Sequence, residues 1–350
     1  MFKRFLFSIF VCLIVFSVAS AARIYDCNDL QNMRNDLTAD YILMNDINCS
    51  ETVYWNDGLG FEPIGQLEPF TGSFDGRGFI IYNLTINRSN EDYVGLFGRG
   101  SMTIRRVGLE DHIIRGKDNV AGLVGRFSGN MDRCFVRKSE GSDHSKGWIY
   151  GEHNVGGVIG FNSGIITNSY NVGSRVRRSG DSISSRIGGF VGSNPNGTIK
   201  YSYVASSVYA QEGLFMQGAF AGYATSNRVF VRNYFGILNF DAYTAEGELE
   251  GREYSEMRYP YDEDTYVDWD FVRVWSNDIN GDINRGYPVL AWETHTPSSG
   301  FGGTTFEVVK EEEEEIDIEE DTKFIEFDDN LVIIGLIVLI LYFVTKKRRR

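Results

Sequence analysis

The side chains that could do chemistry are unevenly spread along the chain. Over residues 93–236, seventeen Arg and Lys stand against nine Asp and Glu, a local charge of +8 in a chain of net −14. Ten of these cations fall in clusters: Arg105, Arg106 and Arg133, then Arg115, Lys117, Arg137, Lys138, Arg175, Arg177 and Arg178. Brought together, they would form a band of positive potential that attracts anionic polymers in a salt-sensitive way. The competing reading is a plain cationic coat on solvent-facing strands, which discourages edge pairing.

Catalysis would need more. Glycoside hydrolysis takes two carboxylates roughly 5–10 Å apart, and elimination takes a base near a cation held by acids. The acids here are sparse and scattered: Glu110, Asp111, Asp118, Asp132, Glu140, Asp143, Glu152, Asp181 and Glu212. His112, His144, His153 and His295 have no Ser, Cys or carboxylate partner at a recognisable spacing, and read as ordinary surface histidines. The string DINGD at 278–282 opens like a calcium loop. Ile283 and Val289 stand where such a loop needs Gly and Glu, so a turn is expected. There is no phosphate loop, dinucleotide fingerprint or nucleophile elbow. No enzyme, no cofactor and no metal site is expected.

What must position the cations is a repeat. YVGLFG (93–98) recurs as VAGLVG (120–125), VGGVIG (155–160), IGGFVG (187–192) and QGAFAG (217–222). A second pattern follows each copy: IRRVGL (104–109), MDRCFV (131–136), ITNSYN (166–171), IKYSYV (199–204) and FVRNYF (230–235). Each unit is too short to bury its own apolar face, so units must stack. One inner column is then Leu96, Leu123, Val158, Phe190 and Phe220, and a second Ile104, Met131, Ile166, Ile199 and Phe230. A third, small or polar, is Val107, Cys134, Ser169, Ser202 and Asn233. The glycines would supply positive φ at corners and close approach between rungs. In this alignment Asp132 meets Arg105, Thr167 and Lys200, while Glu110 and Asp111 meet Arg137 and Lys138 as rung-to-rung ion pairs.

These two linked patterns, clearest in VGGVIGFNSGIITNSYNVG (155–173), resemble the GLUG-motif repeat. The stretches 61–98 and 266–292 are similar to the opening and closing segments of such proteins, so the resemblance covers residues 24–293. It implies an all-β parallel β-helix (β-solenoid) displayed on a cell surface, often in adhesin-like proteins, and carries no catalytic residues. Acidic caps are expected at 22–92 and 237–295 around repeats at 93–236, with Trp269, Phe271 and Trp275 over the last rung.

Cys27 and Cys49 are expected to form a disulfide in an oxidising compartment, and Cys134 to be a packed free thiol. Asn83, Asn87 and Asn196 lie in sequons and are candidates for N-glycosylation, as is Asn48; Asn83 and Asn87 should face solvent. Residues 1–21 read as a signal peptide. Residues 296–329 read as an acidic stalk, 330–345 as one transmembrane helix and 346–350 as a basic cytoplasmic tail, giving a single-pass membrane protein with its N-terminal ectodomain outside. The expected role is a non-catalytic adhesin or binding protein. Its expected partner is an extracellular anionic polysaccharide or a surface protein, with no nucleic acid. A polysaccharide lyase or hydrolase, and a structural envelope component, are the other readings.

Overall fold

A repeat of some thirty residues leaves room for strands of three to five residues and tight corners between them. In the computed structural model those strands wind into an all-β parallel solenoid of about six turns. The structure describes residues 21–180, 185–209, 217–225, 230–236 and 249–295. The signal-peptide run up to residue 20, the stalk, the apolar run and the basic tail lie outside the described residues. Among the described residues no helix is long and apolar enough to cross a membrane.

One turn shows the plan. Its strands are Asn130–Asp132, Phe135–Arg137, Trp148–Gly151, His153–Gly156 and Ile159–Asn162, each paired in parallel with its counterparts in the turns before and after. The register is the one the repeat implies. Ile104, Met131, Ile166, Ile199 and Phe230 pair in series, and all are buried. Phe97, Val124, Ile159, Val191 and Ala221 do the same, which aligns the buried column Leu96–Leu123–Val158–Phe190–Phe220 one residue earlier. The third column carries a side-chain ladder: the Cys134 N–H donates to Ser169 Oγ, the Ser169 N–H to Ser202 Oγ, and the Ser202 N–H to Asn233 Oδ1. A buried polar column is tolerated because each group is satisfied by the next rung. Cys134 is a free, buried thiol whose pKa burial pushes up.

The corners differ from expectation. In the five repeat turns the residue before the third column is left-handed, yet it is not Gly: Arg106, Arg133, Asn168, Tyr201 and Arg232 have φ of 50–54°. The closing glycines are not positive-φ residues. They permit close packing between rungs, since a Cβ at Gly160 would stand 2.5 Å from the Gly125 carbonyl oxygen.

The N-terminal end is closed by the short helix Cys27–Asn32, whose first N–H groups are capped by the Asp26 carboxylate. Leu30 and Met33 plug the top of the core, and the Cys27–Cys49 disulfide ties the helix down with its Cα atoms 5.4 Å apart. At the other end Leu249–Arg252 adds a parallel strand to Asn233–Gly236. The aromatic closing segment meets the last repeat turn through Trp269, whose indole N–H donates to the Arg232 carbonyl. It runs back along the flank as a strap. Trp269 meets Tyr234 and Tyr203, Trp275 meets Tyr203 and Tyr170, and Trp292 stacks on Phe135 at 5.6 Å. The reason is an outward aromatic column, Phe135–Tyr170–Tyr203–Tyr234, which would otherwise face water.

Candidate functional site

The ten candidate cations do not form one band. Arg137 is buried and holds the strap: its guanidinium donates to Glu110 Oε2 at 2.6 and 3.0 Å, to Glu293 Oε2 at 2.7 Å and to the Tyr170 hydroxyl at 2.9 Å. Glu293 also accepts from the Tyr170 hydroxyl and the Leu290 N–H. Burial pushes the Glu293 carboxyl up, and Arg137 pulls it part of the way back. The expected Glu110–Arg137 pair is present, but buried under the strap rather than on an open surface. Lys138 is buried too, with its amine on the Ser139 and Ser142 carbonyls. Burial lowers its pKa, and Arg175 and Arg285 lower it further against the opposing pull of Asp111. Arg178 is buried as well. Arg105 and Arg106 both bind Asp75, at 3.0 and 2.7 Å, and Arg133 binds Asp132 at 2.9 Å.

Four of the ten remain: Arg115, Lys117, Arg175 and Arg177. Among the described residues no carboxylate lies within ion-pair distance of any of them. Arg115, Arg175 and Arg177 share one open face, built from Ile113–Arg115, Trp148–Gly151 and the ends of Tyr170–Arg178 and Tyr203–Tyr209, while Lys117 stands past it at the corner before Asp118–Val120. Alternation decides what it shows. Ile114, Ile149, Val176 and Val208 point inward, so their neighbours point out. One outward column is Arg115–Tyr150–Arg177–Tyr209, and the next is Ile113–Trp148–Arg175–Ser207.

The rings on this face are ordered. Trp148 and Tyr150 stack at 5.2 Å and 14°, and Tyr209 lies 5.6 Å from Trp148. The Arg115 guanidinium lies 4.9 Å from the Tyr150 ring centre, and that of Arg175 lies 5.1 Å from Trp148. Arg175 and the Trp148 indole N–H both donate to the His144 carbonyl, at 2.9 and 3.0 Å, which ties both side chains to the same loop. The face continues into a groove of about 480 Å³ lined by Lys138, Arg175, Tyr209, Arg258, Arg285 and Tyr287, among others. Arg258 lies over Tyr287 at 5.0 Å, and Arg285 donates to the Lys138 carbonyl.

Sequence reasoning by charge alone missed the aromatic half of this face, Trp148, Tyr150 and Tyr209, and the two cap arginines. The signal for the first three was present: WIY, RVR and SVY occupy matching rung positions and expose the first and third residue of each triplet.

The other candidates fall elsewhere. Asn196 is exposed. Asn83 and Asn87 are half-buried and outward, donating to Asn48 Oδ1 and the Gly58 carbonyl, while Leu84 and Ile86 point into the core. The DINGD stretch is a turn: the Asp278 carboxylate accepts from the backbone N–H groups of Ile283, Asn284 and Gly286. His112, expected at the surface, is fully buried at the bend between the strap-covered and open faces, and burial lowers its pKa to about 4.

No protein-family profile matches the chain. It is similar to halomucin of Haloquadratum walsbyi (strain DSM 16790 / HBSQ001), at 38% identity over 143 residues. That match covers 38% of this chain and 2% of halomucin. Among solved structures, the chain is similar to a candidate immunoglobulin A1 protease from Bacteroides ovatus, with a TM-score of 0.51 and 16% identity over 79% of this chain and 94% of that one. At that identity the likeness is one of fold.

Proposed function

We propose that the chain is a surface-displayed, GLUG-type β-solenoid that binds an anionic polysaccharide on its open face and does not turn it over. The observation that carries this reading is the ordered, uncovered array of Arg115, Trp148, Tyr150, Arg175, Arg177 and Tyr209. Ordered, partly exposed aromatic rings offer apolar surface to the C–H groups of sugars. Guanidinium groups lying among them pair with carboxylate or sulfate groups. Rungs recur about every 4.8 Å, close to the length of one pyranose unit, so a glycan running across the rungs could repeat the same contacts. Display outside the cell, through the leader and the apolar C-terminal run, belongs to the same proposal.

The non-catalytic half of the reading is supported by how the acids are used. Glu110 is held by Arg137 and Asp75 by two arginines, while Asp132 accepts from Arg133, Thr167 and Asn168. None of these three is left to act as a base.

The test exposes the full chain to neutral, uronate-containing and sulfated polysaccharides at low and high salt, recording both bound fraction and released reducing or unsaturated ends. Saturable binding of anionic polymers is expected. It should weaken with salt, without products, and be lost on charge reversal at Arg175 and Arg177. Released ends would make the protein a lyase or hydrolase, and binding that survives the reversal would remove the open face from the function.

A further inference from the structure

We propose that Asp118, Glu152 and His153 form a binding site for one divalent transition-metal cation of the zinc or manganese type. Among the described residues they are the one group of three His, Cys, Asp or Glu whose donor atoms all lie within 4.8 Å of one another. All three are half-buried. The backbone sets up this convergence. Asp118 and His153 are register partners in the parallel pair Asp118–Val120 and His153–Gly156. The residue after each, Asn119 or Asn154, is left-handed, and the two asparagines are joined by a 3.2 Å hydrogen bond. The Glu152 and His153 N–H groups both donate to the Lys117 carbonyl. The same bend is thus pinned on two adjacent rungs, and its side chains project together.

A second observation points to a missing cation. Asp118 Oδ1 is shielded from solvent and, among the described residues, has no hydrogen-bond donor. A buried carboxylate oxygen without a donor is costly, and such atoms in native proteins usually have a partner. A divalent ion would supply the missing partner to Asp118 and neutralise the clustered acids.

The donor set selects the class of ion. Calcium and magnesium prefer all-oxygen shells, whereas one imidazole with two carboxylates suits zinc or manganese. Three protein ligands leave at least one position for water or an outside group. None of the three ligands belongs to the aromatic–arginine columns, so either proposal can fail alone.

The test strips the full chain with EDTA and titrates Zn²⁺, Mn²⁺ and Ca²⁺ separately by calorimetry. One saturable equivalent of Zn²⁺ or Mn²⁺ is expected. It should be weakened at least tenfold in Asp118→Asn and in His153→Ala, and unchanged in His144→Ala, which alters a loop histidine. Should His153→Ala fail to fold, the near-isosteric Asp118→Asn decides the matter. No uptake, uptake unaffected by Asp118→Asn, or Ca²⁺ bound more tightly than Zn²⁺ and Mn²⁺ would each overturn the proposal.

Discussion

Two outward faces of the same solenoid carry the same kinds of residue and have opposite fates. On one, Phe135, Tyr170, Tyr203 and Tyr234 point out with Arg137 beside them, and the chain's own C-terminal strap buries them all. On the other, Trp148, Tyr150 and Tyr209 point out beside Arg115, Arg175 and Arg177 and stay open. Outward aromatics with arginines are therefore not in themselves a binding surface. The nearby acids set the two apart. Under the strap, Glu110 and Glu293 satisfy Arg137, so the guanidinium can be desolvated. On the open face, among the described residues, no carboxylate lies within ion-pair distance of the arginines although Glu140 lines the adjoining groove, and covering them without an anionic partner would cost several kcal/mol for each charge, by order of magnitude.

The comparison breaks first if the strap proves dispensable. Arg137→Ala leaves Glu110 and Glu293 buried and uncompensated, and a loss of about 3–5 kcal/mol is expected. Trp275→Ala opens a cavity between Tyr170 and Tyr203 and should cost a similar 3–5 kcal/mol. Chemical denaturation followed by tryptophan fluorescence measures both. Losses below about 1 kcal/mol would mean that the flank is loosely held and that the two faces are alike.

The solenoid itself could be read from one sequence because the repeat carries its own register. Once Gly98, Gly125, Gly160, Gly192 and Gly222 are aligned, period-two alternation assigns every inward column, including the Cys134–Ser169–Ser202–Asn233 ladder. The strap could not be read that way. Its contacts are non-repeating and distant, as with Arg137 and Glu293, which are 156 residues apart. A clue stood in the outward position of IKYSYV and ITNSYN, where Tyr203 and Tyr170 sit at a place that should be polar unless something covers it. The left-handed corners were hidden for another reason. The position tolerates Arg, Asn and Tyr because the neighbouring rungs hold the backbone, so glycine does not mark it.

His112 sharpens the comparison at the bend that joins the two faces. Its ring is buried and, among the described residues, neither nitrogen has a hydrogen-bond partner. Burial lowers its pKa to about 4, opposed by Asp111 and aided by Lys146. The unfolded chain takes up a proton near the ordinary value of 6.5, and the folded chain does so only near 4. Stability is thus complete above pH 6.5 and is lost as the pH falls from 6.5 to 4, by about 3 kcal/mol at one pKa unit per 1.36 kcal/mol. Asp75, whose pKa its arginines lower, acts separately and at lower pH. His112→Phe should flatten the limb between pH 6.5 and 4 and leave the limb below it. An unchanged limb would place the titrating group elsewhere.

The smallest expected effect bears most directly on function. Arg175→Ala removes a guanidinium that lies over Trp148 and, among the described residues, pairs with no carboxylate, so its loss should cost about 0.5–1 kcal/mol of stability, the usual worth of an exposed cation–π contact. The same change should weaken anionic-glycan binding and reduce its salt dependence, because one fewer counterion exchange is then involved. Arg137→Ala should do the reverse, unfolding the flank while leaving the arginines of the open face in place. Measuring both variants for stability and for glycan binding forms a crossed pair. If Arg175→Ala destabilises as strongly as Arg137→Ala, the open face is structural. If both variants bind glycan as the parent does, neither face is the site.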